Sequence, residues 1–284
     1  LRDKHREGSQ MVTCTWLVEN GQSELLSTHI VHGLSCFIHS EEGALLFDCG
    51  PDATLLYNAP LMGIDLCTVR TVVLSHSHYD HAGGFPFLVG KAPVQRLYTG
   101  PHFFEPKYAK NGEVLTYLGC GFDTAFLRKK DILVEEVPLR VEIAKGLWVV
   151  GGFQSSHPYE QIPSRFVKQT EKGIVPDRFE DEVCLVVDHK DSLSMLVGCS
   201  HVGVASMVAR VEQLFGSPVT KLYGGFHLGS SDDKTIASTL SELASCQVQT
   251  LGMCHCSGSH AVDMVCNGHQ FAISVVHTGD TVVL

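Results

Sequence analysis

Three histidines and an aspartate fall within the six residues 76–81 of Ser75-His76-Ser77-His78-Tyr79-Asp80-His81. Imidazole and carboxylate are the ligand types that zinc, iron and manganese accept. In an extended segment alternate side chains share a face, so the spacing points His76 and His78 at one ion. Asp80 and His81 stand where the chain turns towards its next element, within reach of a second ion beside the first. The plainer reading is a polar turn. Ordinary turns, however, draw on Gly, Asn, Asp and Pro, not on three histidines behind a buried strand.

The element that must present this cluster is the run Thr71-Val72-Val73-Leu74, β-branched or aliphatic throughout and free of breakers. Gly83-Gly84 ends the stretch. A second apolar run, Leu45-Leu46-Phe47, ends in Asp48-Cys49-Gly50. His-x-His-x-Asp-His after an apolar strand, preceded by a strand ending in Asp and Gly, resembles the signature of the metallo-β-lactamase-fold superfamily. Leu17-Val18-Glu19-Asn20 and His32-Gly33-Leu34-Ser35 have close counterparts in one subgroup, the dihydropterin-methyl-ribofuranosylaminobenzene-phosphate synthase-like enzymes.

Two later segments repeat the local design of a strand ending in histidine. They are Leu196-Val197-Gly198-Cys199-Ser200-His201 and Tyr223-Gly224-Gly225-Phe226-His227-Leu228, and both match segments of the same subgroup. The resemblance implies that His76, His78 and His201 hold one divalent ion and that Asp80, His81 and His227 hold another, zinc first and manganese or iron as alternatives. His157, in Ser155-Ser156-His157-Pro158, is the rival to His201 and is kept as a pocket residue. Cys199 stands where many superfamily members have a bridging aspartate. It reads equally as a thiolate ligand or as a small core residue. Asp48 is expected to orient a histidine or the bridging water through a hydrogen bond. In Cys254-His255-Cys256-Ser257-Gly258, similar to the subgroup's His-Cys-Thr-Gly with Ser257 for Thr, His255 reads as a substrate-side or acid–base residue. No second ligand pair follows at the spacing a structural zinc would need.

Composition removes several function classes. The chain has 21 Lys+Arg against 31 Asp+Glu and no basic cluster that could follow a phosphate backbone, so nucleic acid is not the expected partner. No apolar run reaches membrane-spanning length. Eleven cysteines, odd in number and without framework spacing, suit reduced thiols in a cytoplasm better than a disulfide-stapled secreted domain. Residues 1–10 are charged and polar, unlike a signal peptide, and read as an extension or a cloning remnant.

Hydrophobic residues make up 44% of the 284, enough for one sizeable core. Strands are expected at 11–19, 36–39, 44–47, 94–98, 132–137, 141–143, 147–150, 183–188, 194–197, 219–223, 248–253, 271–276 and 281–284. Helical spacing covers 202–215, stopped by Gly216, and 231–244, with Ser231 as the cap. Shorter helices are expected after Pro51 and from Gly258. Residues 101–131 and 151–181 read as loops, the second running over the active-site mouth; the aromatics of the first either shape the pocket or fill a local core. The resemblance implies an α/β fold, an αββα four-layer sandwich with the site where the sheets meet, and residues 1–284 are expected to form one domain.

The chemistry follows from the expected ion pair. A bound metal lowers the pKa of water from ~15.7 to about 7, so a metal-bound hydroxide exists at neutral pH. The expected activity is that of a dinuclear metal-dependent hydrolase or transferase on a phosphorylated or otherwise anionic small molecule, with Asp80, Asp48 and His255 as the working residues. A diiron redox protein and a non-catalytic metal-containing binding protein are the competing classes.

Overall fold

A computed structural model describes residues 11–21, 25, 27–268 and 270–284. The expected N-terminal extension, residues 1–10, lies outside the described residues.

The strands in chain order are β1 (Thr13–Val18), β2 (Ser35–Ser40), β3 (Gly43–Phe47), β4 (Val69–Val73), β5 (Arg96–Thr99), β6 (Lys107–Asn111), β7 (Val114–Tyr117), β8 (Leu133–Glu136) and β9 (Arg140–Ala144). They continue as β10 (Leu147–Val150), β11 (Phe166–Thr170), β12 (Gly173–Pro176), β13 (Cys184–Asp188), β14 (Leu193–Val197), β15 (Val219–Gly224), β16 (Thr250–Met253), β17 (Ala272–Val275) and β18 (Thr281–Val283). The helices are α1 (Thr54–Leu61), α2 (Tyr79–Ala82), α3 (Phe85–Val89), α4 (Thr124–Lys129), α5 (Val204–Phe215), α6 (Asp233–Ser245) and α7 (Ser259–Gly268).

Alternation along the strands dictates the layers. In β3, Leu45 and Phe47 point one way and Leu46 the other; in β13, Leu185 and Val187 oppose Cys184 and Val186. The inward sets of a seven-stranded sheet β18-β1-β2-β3-β4-β5-β8 and a second one, β17-β16-β15-β14-β13-β10-β9, interlock face to face. Trp16 meets Tyr223 across this interface at 6.2 Å between ring centroids. The outward residues of the first sheet bury against Leu55 and Ala59 of α1, Phe85 and Leu88 of α3 and Leu127 of α4. Those of the second sheet bury against α5, α6 and α7 through residues such as Val208, Ile236, Leu240 and Val265. The result is the expected αββα sandwich. In each sheet four neighbouring strands run parallel, β3-β4-β5-β8 and β14-β15-β16-β17, so their carboxyl ends gather on one rim.

Two local readings are corrected. The cap of α6 is Asp232, whose carboxylate accepts from Thr235 N at 2.8 Å, and not Ser231. Residues 101–131 and 151–181 are not plain loops, because each contributes a hairpin to a four-stranded sheet, β12-β11-β6-β7. Its central pairing joins Phe166 to Ala109, residues too far apart in sequence for any local pattern to announce. The aromatics there fill a local core: Phe122 packs against Phe85, Phe103, Phe104 and Phe126.

Candidate metal centre

The site is built from strand ends. Asp48 follows β3, Ser200 follows β14, His227 follows β15 and His255 follows β16, and all four adopt left-handed backbone, with φ of 61°, 57°, 50° and 53°. Such conformations cost of order 1–3 kcal/mol each for residues with a side chain and persist where surrounding structure fixes them. Here they turn the chain sharply off the sheet and aim side chains at the rim. Gly198 permits a close approach, since a Cβ there would lie 2.2 Å from Ser75 Oγ.

Four overlapping groups of possible donors lie together here, and they fall into two adjoining sets. In the first, one nitrogen each from His76, His78 and His201 lies within 4.8 Å of the others, all three side chains being buried. Nε2 of His76, Nε2 of His78 and both ring nitrogens of His201 have no hydrogen-bond partner among the described residues. An unsatisfied buried polar group costs about 1–3 kcal/mol, so this convergence of orphaned nitrogens fits a cation. Burial, reinforced by the other cationic groups nearby, holds all three imidazoles well below their ordinary pKa, in the neutral form a metal needs.

The second set surrounds His81. Its Nδ1 lies 2.7 Å from Asp48 Oδ2, which holds a proton on Nδ1 and turns Nε2 towards the cluster. That Nε2 is 3.1 Å from Cys199 Sγ, 3.1 Å from His255 Nε2 and 3.7 Å from Asp80 Oδ2. His255 Nε2 is in turn 3.4 Å from Asp80 Oδ2. Burial opposes a charge on His81, yet Asp48 and Asp80 raise it to about 9. Burial also opposes ionisation of Asp80, but His81, His255 and His32 bring it well below the usual carboxylate range. Burial and Cys256 push the Cys199 thiol up; a bound cation acts in the opposite direction.

The structure redistributes the sequence-based ligand list. His76, His78 and His201 come together, and so do Asp80 and His81 with Asp48 behind them. His227 joins no donor group among the described residues; its ring lies 4.3 Å from that of His201 and 6.0 Å from Phe166, while His255 lies beside Asp80 and His81. Cys199 faces the cluster, with its sulfur between His81 and Cys256. His157 stacks on Tyr159 at 5.2 Å and joins no donor group. Its segment is tied instead to α5, where Glu160 accepts from Ala205 N at 2.7 Å and Ser206 N at 2.9 Å.

Several supporting residues went unread. His32 Nε2 reaches Asp80 Oδ2 at 3.2 Å, and its ring stacks on His255 at 4.9 Å. Asn20 Oδ1 lies 3.0 Å from His255 Nδ1, and Glu19 Oε1 accepts from His255 N at 2.6 Å. The tetrapeptides 17–20 and 32–35 were the available signal. Asp181 and Glu182 carried none: Asp181 Oδ2 accepts from Ser77 N, and Glu182 from His201 N and Val202 N. Phe179 stacks on His201 at 3.9 Å, and Lys107 Nζ lies over the Phe179 ring, 4.7 Å from its centroid. A cleft of about 770 Å³, lined by residues including His102, Phe153, Arg178 and Glu180, contains none of these donors.

Residues 31–157 match the family model described as the metallo-beta-lactamase superfamily. A curated relative, the 7,8-dihydropterin-6-methyl-4-(beta-D-ribofuranosyl)-aminobenzene-5'-phosphate synthase of Methanocaldococcus jannaschii, is 28% identical over 267 residues, covering 87% of this chain and 88% of the relative. A solved structure described as a metal-dependent hydrolase of the beta-lactamase superfamily is 28% identical, covers 96% of this chain and 99% of its own, and superposes with a TM-score of 0.83. Zinc-bound PqqB from Methylobacterium extorquens, 13% identical, covers 96% of this chain and 100% of its own with a TM-score of 0.57, and shares the fold.

Proposed function

The chain belongs to the metallo-β-lactamase superfamily, and from that premise we propose that it is a dinuclear metal-dependent hydrolase or transferase acting on a phosphorylated or otherwise anionic small molecule. The observation that carries this reading is the pair of adjoining donor sets, with four buried imidazole nitrogens otherwise unpartnered. His76, His78 and His201 would hold one ion. His81, Asp80, His255 and Cys199 would hold the other, a revision that replaces His227 with His255. Imidazole, carboxylate and thiolate together favour zinc, with iron next and manganese least, because thiolate is a soft ligand. When bound, such ions polarise substrate oxygens and make water a usable nucleophile near neutral pH.

The protein's own groups do the positioning. Asp48 fixes the His81 tautomer, Asn20 and Glu19 fix His255, and Phe166 and Phe179 keep bulk water away from His78 and His201. The relative's name supports a phosphorylated, ring-bearing substrate and a synthase reaction, and the description of the 28% identical solved structure supports hydrolysis. Residues 1–284 are taken as one domain, with a cytoplasmic setting in keeping with cysteines that are all unpaired in the structure. Among the described residues no helix is long and apolar enough to cross a membrane.

The test is elemental analysis combined with an assay. The protein, reconstituted with Zn, Mn or Fe, is expected to bind two ions per chain and to turn over phosphodiesters or phosphomonoesters. His78→Ala is expected to lose one ion and most of the activity. Undiminished turnover in that variant, or two irons accompanied by oxygen consumption, would overturn the hydrolase reading.

A further inference from the structure

Arg165 projects from the start of β11 onto the ring of Phe166, with its guanidinium carbon 4.6 Å from the ring centroid. Phe166 itself packs against the cluster, 5.6 Å from His78, 5.3 Å from His201 and 6.0 Å from His227. Among the described residues no carboxylate or carbonyl accepts from this guanidinium. The same holds for the imidazole of His227, which is only partly buried and stands outside both donor sets. The two groups flank one ring: Phe166 lies 4.6 Å from the guanidinium carbon of Arg165 and 6.0 Å from the ring of His227. An imidazole nitrogen there can share a hydrogen bond with an anion that the guanidinium holds.

The chain as a whole carries a formal charge of −10, which repels anions, so an anionic substrate needs a local uncompensated cation near the reacting centre. A cation held over an aromatic face is partly ordered in advance and loses less freedom on binding. Arginine also presents a planar fork that matches the oxygens of phosphate or carboxylate.

We propose that Arg165, laid on Phe166, and His227 form an anion subsite at the mouth of the histidine cluster that takes the phosphoryl group of a phosphomonoester substrate. This rests on the reading that the cluster is where that substrate reacts. The subsite is separate from the donor sets, so it binds a part of the substrate that does not itself change. Its expected effect is on affinity and on discrimination between substrates with and without the phosphoryl group.

The experiment titrates the zinc-loaded protein calorimetrically with phenyl phosphate and, in a parallel arm, with benzoate, while zinc per chain is measured on every sample. Arg165 is exposed, so Arg165→Met is not expected to disturb folding. The expected result is that Arg165→Met weakens phenyl phosphate binding by about tenfold to a hundredfold with zinc content unchanged, and that Arg165→Lys recovers part of the loss. Equal phenyl phosphate affinity in Arg165→Met, no binding of phenyl phosphate by the parent chain, or tighter binding of benzoate than of phenyl phosphate each overturns the proposal. Arg165-dependent phosphate binding by a chain that holds no zinc supports the subsite and overturns the metal reading instead.

Discussion

Asp181 and Glu182, neighbours in the chain, turn their carboxylates to different histidine-bearing segments: Asp181 Oδ2 accepts from Ser77 N at 2.9 Å, and Glu182 Oε1 accepts from His201 N at 2.8 Å. One dipeptide thus braces the segment of His76 and His78 to that of His201. Both side chains are buried. Lys107 bonds Asp181 and lies 3.2 Å from Asp177. Burial disfavours the charge on Lys107, but the two carboxylates outweigh it and raise its pKa. Burial raises Glu182 to about 7 in spite of the two amides it accepts from.

Removing the cation of this brace is expected to cost more than removing the cation and its carboxylates together. Lys107→Met leaves the buried Asp177 and Asp181 carboxylates unpaired, and breaking such a pair costs about 3–5 kcal/mol. Adding Asp177→Asn and Asp181→Asn to it removes both stranded charges, so the triple variant is expected to be more stable than Lys107→Met alone. Urea unfolding of the parent and the two variants checks this. A triple variant less stable than the single one would show that the ion network is not what the fold depends on here.

Asp48 accepts from His81 Nδ1 at 2.7 Å, Ser75 N at 2.7 Å and Ser75 Oγ at 2.8 Å. Asparagine tolerates the left-handed backbone at this position, so Asp48→Asn tests the carboxylate without a backbone penalty. It loses the charge that keeps the proton on Nδ1 of His81. The expected outcome is a drop of about 10–100-fold in affinity for the ion at His81, read by competition with a chromophoric chelator. Secondary structure by circular dichroism is expected to stay as in the parent. Unchanged affinity would remove Asp48 from the metal's support.

Gly198 lies at the end of β14 where it touches Ser75 and Asp48. An added methyl would sit 2.2 Å from Ser75 Oγ and 3.4 Å from Asp48 Oδ2. Gly198→Ala is therefore expected to destabilise the chain by about 1–3 kcal/mol through overpacking, and to weaken the same ion that Asp48→Asn weakens. Gly43→Ala is the control at another sheet position, since nothing lies within 4 Å of its added methyl, although its φ of 130° leaves some strain. The two effects separate if only Gly198→Ala changes metal affinity.

Local pattern carried most of the strands and the two long helices; the αββα sandwich came from the family resemblance. The alternation in β3 and β13, the helical stripe of α5 and Gly216 behind it are written in neighbouring residues. The cluster at 76–81 was legible because its candidate donors fall within six residues, and His201 because it repeats the same strand-end design. What local pattern could not carry was distance across the fold. His255 and His227 are both histidines near a strand end, and only the packing of residues 17–20 and 32–35 against one of them decides which faces Asp80. The β6–β11 pairing and the Asp181–Glu182 brace join segments whose proximity exists only after both sheets have closed.

The pH dependence of the metal-free protein tests the electrostatics of the cluster directly. Burial, the leading cause for each, holds His76, His78 and His201 well below the unfolded value of 6.5 and holds His227 and His255 at about 4. Below pH 6.5 the unfolded chain takes up protons that the folded chain refuses. Stability present above 6.5 is therefore lost as the pH falls towards 4, at up to about 1.4 kcal/mol per pH unit for each such group. His81 has the opposite sign: raised to about 9, it contributes stability that is full below 6.5 and is lost as the pH rises through 9. The urea midpoint of the chelator-treated protein is expected to peak near neutrality, falling steeply on the acid side and gently on the alkaline side. His227→Ala removes one depressed group that lies outside both donor sets, so its acid limb is expected to be shallower by one proton's slope. An acid limb equally steep in parent and variant would mean that His227 is not held neutral where it lies beside His201.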